Sequence, residues 1–179
     1  MSIIHKFKAL YRNKFWSLER LARFYGVEMG KDNFIASKFW SSEPYLIKIG
    51  NNCDITSGVK IFTHGGSRVL RSKHPKFDAF GKVVIGDYVY IGSNSLIMPG
   101  ITIGNNVLIA AGSVVTKSIP SGVVVAGNPA KFVCTIDDYE KKNIKYNTNS
   151  KGMSANDKRE MLLNLNEDKF IKKSLLKVV

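Results

Sequence analysis

The chain has 179 residues, 44% of them apolar, and a formal net charge of +13, so it can bury a core and is not an intrinsically disordered chain. No apolar run approaches the roughly 18 residues that a membrane span needs. Two cysteines, Cys53 and Cys134, are too few for a disulfide scaffold or a zinc ribbon. We therefore expect a cytoplasmic protein.

The positive charge is unevenly distributed. Residues 1–31, 67–84 and 131–179 carry net charges of +5, +4 and +4, whereas residues 32–66 and 85–130 are neutral. A basic balance favours anionic partners such as nucleic acid, an acidic membrane surface or phosphate-bearing small molecules. Nucleic acid is not expected, because the chain has no recognised binding module and no interleaved aromatic residues of the kind that stack on bases.

The N-terminal segment, residues 1–30, is predicted to contain an amphipathic helix over residues 3–25. Its apolar residues lie mostly three or four positions apart, at Ile3, Phe7, Leu10, Tyr11, Phe15, Leu18, Leu21 and Phe24. Such a helix can cap the exposed end of the domain that follows. Alternatively, its basic face can associate peripherally with the inner face of a membrane. His5 is expected on the surface of this segment.

Residues 31–132 contain a repeat of six residues. Read in sixes, residues 49–66 give IGNNCD, ITSGVK and IFTHGG, and residues 85–120 give IGDYVY, IGSNSL, IMPGIT, IGNNVL, IAAGSV and VTKSIP. Every leading position is isoleucine or valine: Ile49, Ile55, Ile61, Ile85, Ile91, Ile97, Ile103, Ile109 and Val115. A second small or apolar residue lies two positions before each next leading position, at Cys53, Val59, Gly65, Val89, Ser95, Ile101, Val107, Ser113 and Ile119.

A period of six does not fit an α-helix, which requires spacings of three and four. Steps of two and then four predict a short strand and a sharp corner in each six. Glycine and asparagine tolerate positive φ at such corners, as in Gly50-Asn51-Asn52. The isoleucines would point inward and stack on the next coil about 4.8 Å away. The pattern therefore predicts an all-β fold, a parallel β-solenoid.

Residues 67–84 interrupt this repeat. Ile61 and Ile85 are four sixes apart, but the leading positions between them would be Ser67, Lys73 and Ala79, which cannot form an apolar ladder. We expect an excursion loop that leaves the solenoid and returns in register. Long loops on a rigid scaffold often carry function.

The C-terminal appendage, residues 133–179, is predicted to be helical. A short helix is expected after the last coil, with Asp137 near its start, and NTNSKGMSAND reads as a loop. The stretch from Asp157 to the end of the chain is predicted to form a second helix.

The repeats resemble those of the hexapeptide-repeat acyltransferases. IFTHGGSRVLR and FDAFGKVVIGDYVYIGSNSLIMPGITIGNNVLIAAGSVVTKSIPSGVVVAGNPAK are similar to the maltose and galactoside O-acetyltransferase branch, especially to members found with capsule and O-antigen sugar biosynthesis. The resemblance covers about residues 43–135. It implies a left-handed parallel β-helix, a homotrimer, and acetyl-CoA as the donor for a hydroxyl. The hand of the helix comes from the resemblance and not from the repeat. No metal-binding constellation is apparent.

Transfer of an acyl group from a thioester to an alcohol needs a base for the hydroxyl proton, and a neutral imidazole suits that task. His64 is the candidate, because it lies at the mouth of the excursion and the two glycines after it leave room for a substrate. It also matches the family's catalytic histidine. His74 lies within the excursion and is expected to be a loop residue or a substrate contact.

One position departs from the family pattern. Relatives commonly have an acidic residue directly after this histidine, where the chain has Gly65. Glu43, in SEPYLIKIG, is a candidate to orient the imidazole instead, or to bind a sugar hydroxyl of the substrate. The alternative is a surface carboxylate on the first coil.

The resemblance also implies an acetyl-CoA site. Ser93 and Ala111 match positions that line the pantetheine arm, and Thr116 and Lys117 match positions near the nucleotide end. Lys117 is the single basic residue of residues 85–130, and a lysine can bind phosphate.

The sequence thus predicts an acetyl-CoA-dependent O-acetyltransferase that acts on a sugar hydroxyl in surface-polysaccharide biosynthesis, with His64 as the general base of a direct attack. Two alternatives stay open. One is N-acetylation of an amino sugar on a nucleotide- or lipid-linked precursor. The other is a non-catalytic solenoid scaffold or anion-binding module.

Overall fold

Short parallel strands dominate the computed structural model, which describes residues 10–12 and 14–175. The chain divides after Ile136 into a larger N-terminal unit and a smaller C-terminal unit. Three sheets form the larger unit. Sheet I contains β1 (Glu28–Met29), β3 (Ile47–Ile49), β6 (Val83–Ile85) and β9 (Thr102–Ile103). Sheet II contains β2 (Phe34–Ile35), β4 (Asp54–Ile55), β7 (Val89–Ile91), β10 (Val107–Ile109), β12 (Val123–Ala126) and β13 (Lys131–Thr135). Sheet III contains β5 (Lys60–Ile61), β8 (Leu96–Ile97) and β11 (Val114–Val115).

Three sixes make one coil, with one strand in each sheet. The leading residues are paired between coils: Ile49–Ile85–Ile103 in sheet I, Ile55–Ile91–Ile109 in sheet II, and Ile61–Ile97–Val115 in sheet III. None of these nine side chains is more than 1% exposed, and all belong to one core. The predicted β-solenoid is confirmed, while the hand of its winding stays a prediction.

Asparagine and glycine serve different purposes at the corners. Asn52 and Asn106 have φ of 55° and 52°, as the Gly-Asn-Asn pattern predicts. Gly50 does not have a positive φ, yet a Cβ there would lie 2.6 Å from the carbonyl oxygen of Gly86 in the next coil. The glycine is therefore needed for the close approach of successive coils and not for its conformational freedom.

Polar side chains join the corners between sheets I and II. Asp87 Oδ1 accepts a hydrogen bond from the backbone N–H of Asn51 at 2.7 Å, and Asn105 Oδ1 accepts one from Asp87 N–H at 2.8 Å. Ser121 Oγ continues the series by accepting from Asn105 N–H at 2.9 Å. Each coil thus satisfies a backbone donor of the coil before it.

The inward alternation fails at the start of the excursion. The repeat predicts an inward Gly65, but Gly65 is exposed and the buried position is Thr63. The reason is that the chain turns away from the solenoid two residues after Ile61. Thr63 carbonyl accepts from Gly81 N–H at 2.7 Å, and His64 pairs with Phe80 in an antiparallel bridge.

The excursion returns in register, as predicted, since β6 pairs with β3 across it. A short 3-10 helix, Ser67–Leu70, begins the loop. Asp78 holds the loop together: Ser67 Oγ donates to its carboxylate at 2.7 Å, and Arg71 forms a salt bridge with it at 3.5 Å. The hydroxyl of Ser67 lowers the pKa of Asp78, and Arg71 adds to that effect.

The N-terminal helix is not continuous. Residues 10–12 and 14–15 are helical, but Ser17 is extended and caps a new helix, α1 (Leu18–Phe24), by accepting a hydrogen bond from Arg20 N–H. The predicted single helix over residues 3–25 is therefore wrong at Trp16 and Ser17, where capping competes with helix continuation. Residues 3–9, with His5, lie outside the described residues. Ala22 on α1 joins the solenoid core.

The last coil ends in an antiparallel strand, because β13 pairs antiparallel with β12. α2 (Ile136–Asn143) follows, with Asp137 in its first turn as predicted. In the smaller unit, α3 (Ala155–Leu163) is capped by Ser154.

The predicted continuation of this helix is wrong over residues 164–175, the described part of the stretch that follows it. Asn164 and Asn166 are poor helix formers, and only a 3-10 helix, Glu167–Lys169, follows. Residues 176–179 lie outside the described residues. Within the part of the chain that is described, no helix is long and apolar enough to span a membrane.

Candidate functional site

His64 lies at the corner that follows β5, where the excursion leaves the solenoid. Its side chain is 36% exposed, and its ring Nδ1 is 2.7 Å from Glu43 Oε2. The ring of Phe80, across the stem of the excursion, has its centroid 5.7 Å from that of the imidazole. The structure therefore brings His64 and Glu43 together, and the excursion covers one side of the imidazole.

Glu43 is held from two directions. Thr63 Oγ1 donates to the same Oε2 atom at 2.7 Å, and Ser41 Oγ lies 2.9 Å from Thr63 Oγ1. The hydroxyl of Thr63 makes the largest contribution to lowering the pKa of Glu43, and His64 lowers it further against the opposing effect of desolvation. Glu43 is therefore a carboxylate at neutral pH.

This geometry selects one tautomer of the imidazole. A carboxylate can only accept hydrogen bonds, so the proton between the two side chains belongs to Nδ1 of His64. In the neutral ring, Nε2 then carries the free lone pair. The arrangement can therefore take a proton at Nε2 and stabilise the resulting positive charge through Glu43.

A cleft opens beside the imidazole. Its volume is about 420 Å³, within the range usual for small-molecule sites. The walls are Lys38, Phe39, Trp40, Ser41, Ser42, Phe62 and His64. The site thus combines a candidate base with a space that can hold a small substrate.

The four residues predicted for acetyl-CoA lie at two different corners. Ser93 and Ala111 occupy equivalent corner positions in consecutive coils, just before β8 and β11, and Gly112 N–H donates to the Ser93 carbonyl at 2.8 Å. Thr116 and Lys117 follow β11, at the kind of corner that also carries His64. Within one chain the strands of sheet III separate the two pairs.

Lys117 is suited to an anionic ligand. Its side chain is exposed and forms no salt bridge within the described ranges. It borders a small apolar cavity of about 160 Å³ whose other walls include Pro120, Val125 and Phe132. An unpaired ammonium beside an aromatic wall suits a phosphate-bearing nucleotide.

Sequence reasoning missed Thr63 and Ser41. The repeat gives no signal for Thr63, because it places Gly65 at the inward position, and Ser41 lies outside the repeat. His74 is exposed in the excursion, and in the described parts of the chain nothing joins it to His64 or Glu43. No cluster of three or more potential metal ligands occurs among the residues that the structure describes.

Comparison with known proteins agrees with this architecture. The family model "Bacterial transferase hexapeptide (six repeats)" matches residues 82–117. Protein CapG of Staphylococcus aureus is 48% identical over 143 residues, which are 78% of this chain and 83% of that protein.

Two solved structures are also similar. A maltose O-acetyltransferase from Clostridium difficile 630 has a TM-score of 0.54 and 30% identity, with 65% of this chain and 73% of that one covered. A galactoside acetyltransferase in complex with coenzyme A has a TM-score of 0.52 and 29% identity, with 69% and 72% covered. The three parallel sheets are arranged as in a left-handed β-helix. The chain is therefore a hexapeptide-repeat acetyltransferase of the maltose and galactoside O-acetyltransferase-like group.

Proposed function

We propose that the protein transfers the acetyl group of acetyl-CoA to a sugar hydroxyl, with His64 as the general base. The observation that carries this proposal is the 2.7 Å contact between His64 Nδ1 and Glu43 Oε2 beside an open cleft. That contact leaves Nε2 free to accept a proton. The similarity to a maltose O-acetyltransferase and a galactoside acetyltransferase supports a sugar acceptor.

The proposed reaction is a direct transfer. Acetyl-CoA supplies an acetyl thioester. His64 Nε2 takes the proton of the acceptor hydroxyl as that oxygen bonds to the acetyl carbon, and the carbon–sulfur bond breaks. The proton then passes from His64 to the departing sulfur, which leaves as the free thiol of CoA. Glu43 keeps Nδ1 protonated and offsets the charge on the ring between these two events.

Acetyl-CoA is proposed to lie along Ser93 and Ala111 with its pantetheine arm, and near Thr116 and Lys117 with its nucleotide end. Because these pairs lie at different corners of one chain, we propose a homotrimer in which neighbouring copies supply different corners to one site. The coenzyme A complex of the similar galactoside acetyltransferase supports a CoA ligand. A metal is not required by this chemistry.

The acceptor is proposed to belong to surface-polysaccharide biosynthesis, which the similarity to CapG supports. His74 and Glu43 are the proposed substrate contacts, although Glu43 is already engaged with His64 and Thr63. N-acetylation of an amino sugar is the alternative, because the cleft has no group that separates an amine from a hydroxyl.

Peripheral membrane association of the N-terminal segment stays a prediction. The guanidinium of Arg20 stacks over the ring of Trp16 at 4.1 Å, and Tyr11 and Phe15 are exposed. Basic and aromatic side chains on one segment suit an anionic membrane surface. Co-sedimentation with anionic vesicles measures this association directly.

The replacement His64→Ala tests the proposed function. We expect kcat to fall by about 10²–10⁴-fold in an assay of thiol release from acetyl-CoA with a panel of sugars. Lys76→Ala, which changes an exposed residue of the same excursion that has no proposed role in binding, is the control and should leave kcat near the wild-type value. Product mass and base-labile acetate distinguish an ester from an amide. Near-normal turnover by His64→Ala would contradict the proposal, and failure of the wild-type protein to bind CoA would favour a non-catalytic scaffold.

A further inference from the structure

The cleft beside His64 is one of three adjoining cavities. All three are lined by Lys38 and Trp40. The second cavity, of about 380 Å³, extends past Tyr25 and Tyr45, and the third, of about 210 Å³, reaches α1. A ligand longer than one sugar therefore has room to continue away from the imidazole.

Lys38 is the charged group common to these cavities. It is exposed, and it has no salt-bridge partner within residues 10–12 and 14–175. The carboxylate close to the cleft, Glu43, is already bound by Thr63 and His64. A second ammonium, on Lys60, lies 5.7 Å from the ring centroid of Phe39, which lines the same cleft. The cleft therefore has an uncompensated positive charge.

Two aromatic rings line the same cleft as the imidazole and Lys38. Phe39 and Phe62 are in contact, with ring centroids 5.4 Å apart, and Phe39 is 45% exposed. Their faces offer an apolar surface on which the C–H face of a sugar ring can pack. Trp40, only 5% exposed, belongs to the buried core and also lines the cleft.

From this arrangement we propose that the acceptor is an anionic saccharide. Its sugar ring lies against Phe39 and Phe62, with a hydroxyl at His64, and its phosphate or carboxylate group binds Lys38. A neutral acceptor would desolvate the Lys38 ammonium without supplying a partner, which costs free energy. The assignment of the hydroxyl to His64 rests on the proposed function, whereas the binding of the anion to Lys38 does not.

The test is a binding measurement that needs no catalysis. Hexoses are titrated by calorimetry as methyl glycosides, as hexose 1-phosphates and as uronic acids, each against the full chain. We expect the phosphate or the uronic acid to bind about tenfold more tightly than its neutral partner, which is the order of one charge-assisted hydrogen bond. Whichever of the two binds more tightly identifies the anionic group.

Variants assign the preference to the cleft. Lys38→Gln should abolish the preference for the anionic member, and Lys38→Arg should retain most of it. Lys31→Gln is the matched control, because Lys31 is an exposed lysine of the same coil, at another corner, that lines none of the three cavities. It should bind like the wild-type protein.

Three results would overturn the inference. They are equal binding of neutral and anionic members by the wild-type protein, an unchanged preference in Lys38→Gln, and inorganic phosphate binding as tightly as the hexose phosphates. The result is separable from that of the proposed function. If His64→Ala loses turnover and the wild-type protein shows no preference for anions, the acetyltransferase proposal is supported and the anion-binding inference is wrong. If the preference for anions requires Lys38 but His64→Ala has normal turnover, the anion-binding inference is supported and the role proposed for His64 is wrong.

Discussion

The same corner of the solenoid is built in two ways. After β8 the chain passes through Pro99 and Gly100 and returns at once to an inward Ile101, which is 4% exposed. After β5, one coil earlier, the corresponding corner carries a buried Thr63 and a half-exposed His64, and the chain leaves the solenoid. The first corner contributes to the core, whereas the second places a polar network on the surface. This difference indicates that the regular coils on either side hold the site in place. Among the described residues, the excursion at His64 interrupts the stacking at a single corner.

Ile103→Ala tests the regular coils, whose leading residues form the core. Ile103 is 1% exposed and lies in register with Ile85, so its truncation leaves a cavity between stacked coils. We expect a loss of about 2–5 kcal/mol in the free energy of unfolding, measured by urea denaturation. The neighbouring Thr102→Ala, on the exposed side of β9, should change it by less than about 0.5 kcal/mol. Similar losses for the two variants would contradict a core of stacked leading residues.

Glu43→Gln tests the polar corner that carries His64. The amide has no negative charge and can present either its oxygen or its NH2 group to Nδ1 of His64. The tautomer of the imidazole is then no longer fixed, and the positive charge that forms on it during the reaction is no longer offset. We expect kcat for sugar acetylation to fall about tenfold to a hundredfold with little change in the KM for acetyl-CoA.

A shift in the pH profile of kcat should accompany this fall, which a purely structural role would not produce. If KM for the sugar rises while kcat and its pH profile are unchanged, Glu43 binds substrate and does not position His64.

Two glycines sharpen the comparison through packing alone. A Cβ at Gly92 would lie 2.7 Å from Ala111 Cα in the next coil, whereas a Cβ at Gly65 would meet nothing within 4 Å. Gly92→Ala should therefore destabilise the fold by about 1–3 kcal/mol, because the coils must move apart. Gly65→Ala should be nearly neutral. Thermal unfolding of the two variants measures the difference, and a neutral Gly92→Ala would show that the coils are less tightly stacked than described.

The smallest effect is expected at Lys117. If its ammonium binds a phosphate of acetyl-CoA, Lys117→Gln should raise the KM for acetyl-CoA about fivefold and leave kcat unchanged. Lys131→Gln, a change of another exposed lysine on the same unit, is the control. An unchanged KM would remove Lys117 from the proposed donor site.

The repeat made most of the fold predictable. Within residues 49–66 and 85–120, every buried Ile or Val was assigned by its spacing, because one residue type must recur wherever coils stack. The excursion was predictable for the same reason, since Ser67, Lys73 and Ala79 cannot continue an apolar ladder. Local competition limited the rest. Ser17 ends one helix and caps the next, which apolar spacing alone does not reveal.

The site was predictable only in part. His64 could be identified from its motif. For Glu43, orienting the imidazole was only one of the roles considered, because 21 residues separate it from His64 and only the fold brings the two side chains within 2.7 Å. Thr63 and Ser41 carry no signal of their own contact in the sequence. The cleft and its lysine are formed by two segments, residues 38–42 and 62–64, and the first of them lies outside the repeat, so periodicity cannot describe them.

The excursion begins and ends at nearly the same place. Gly81 N–H bonds to the carbonyl of Thr63, and a Cβ on Gly81 would lie 2.7 Å from Gly100 Cα, so both ends are fixed to the neighbouring coil. The stacking of the coils therefore depends on the two anchor points and not on the number of residues between them. Loops of other lengths could be grafted between these anchors without shifting the ladders, so the segment that follows His64 can be redesigned independently of the fold.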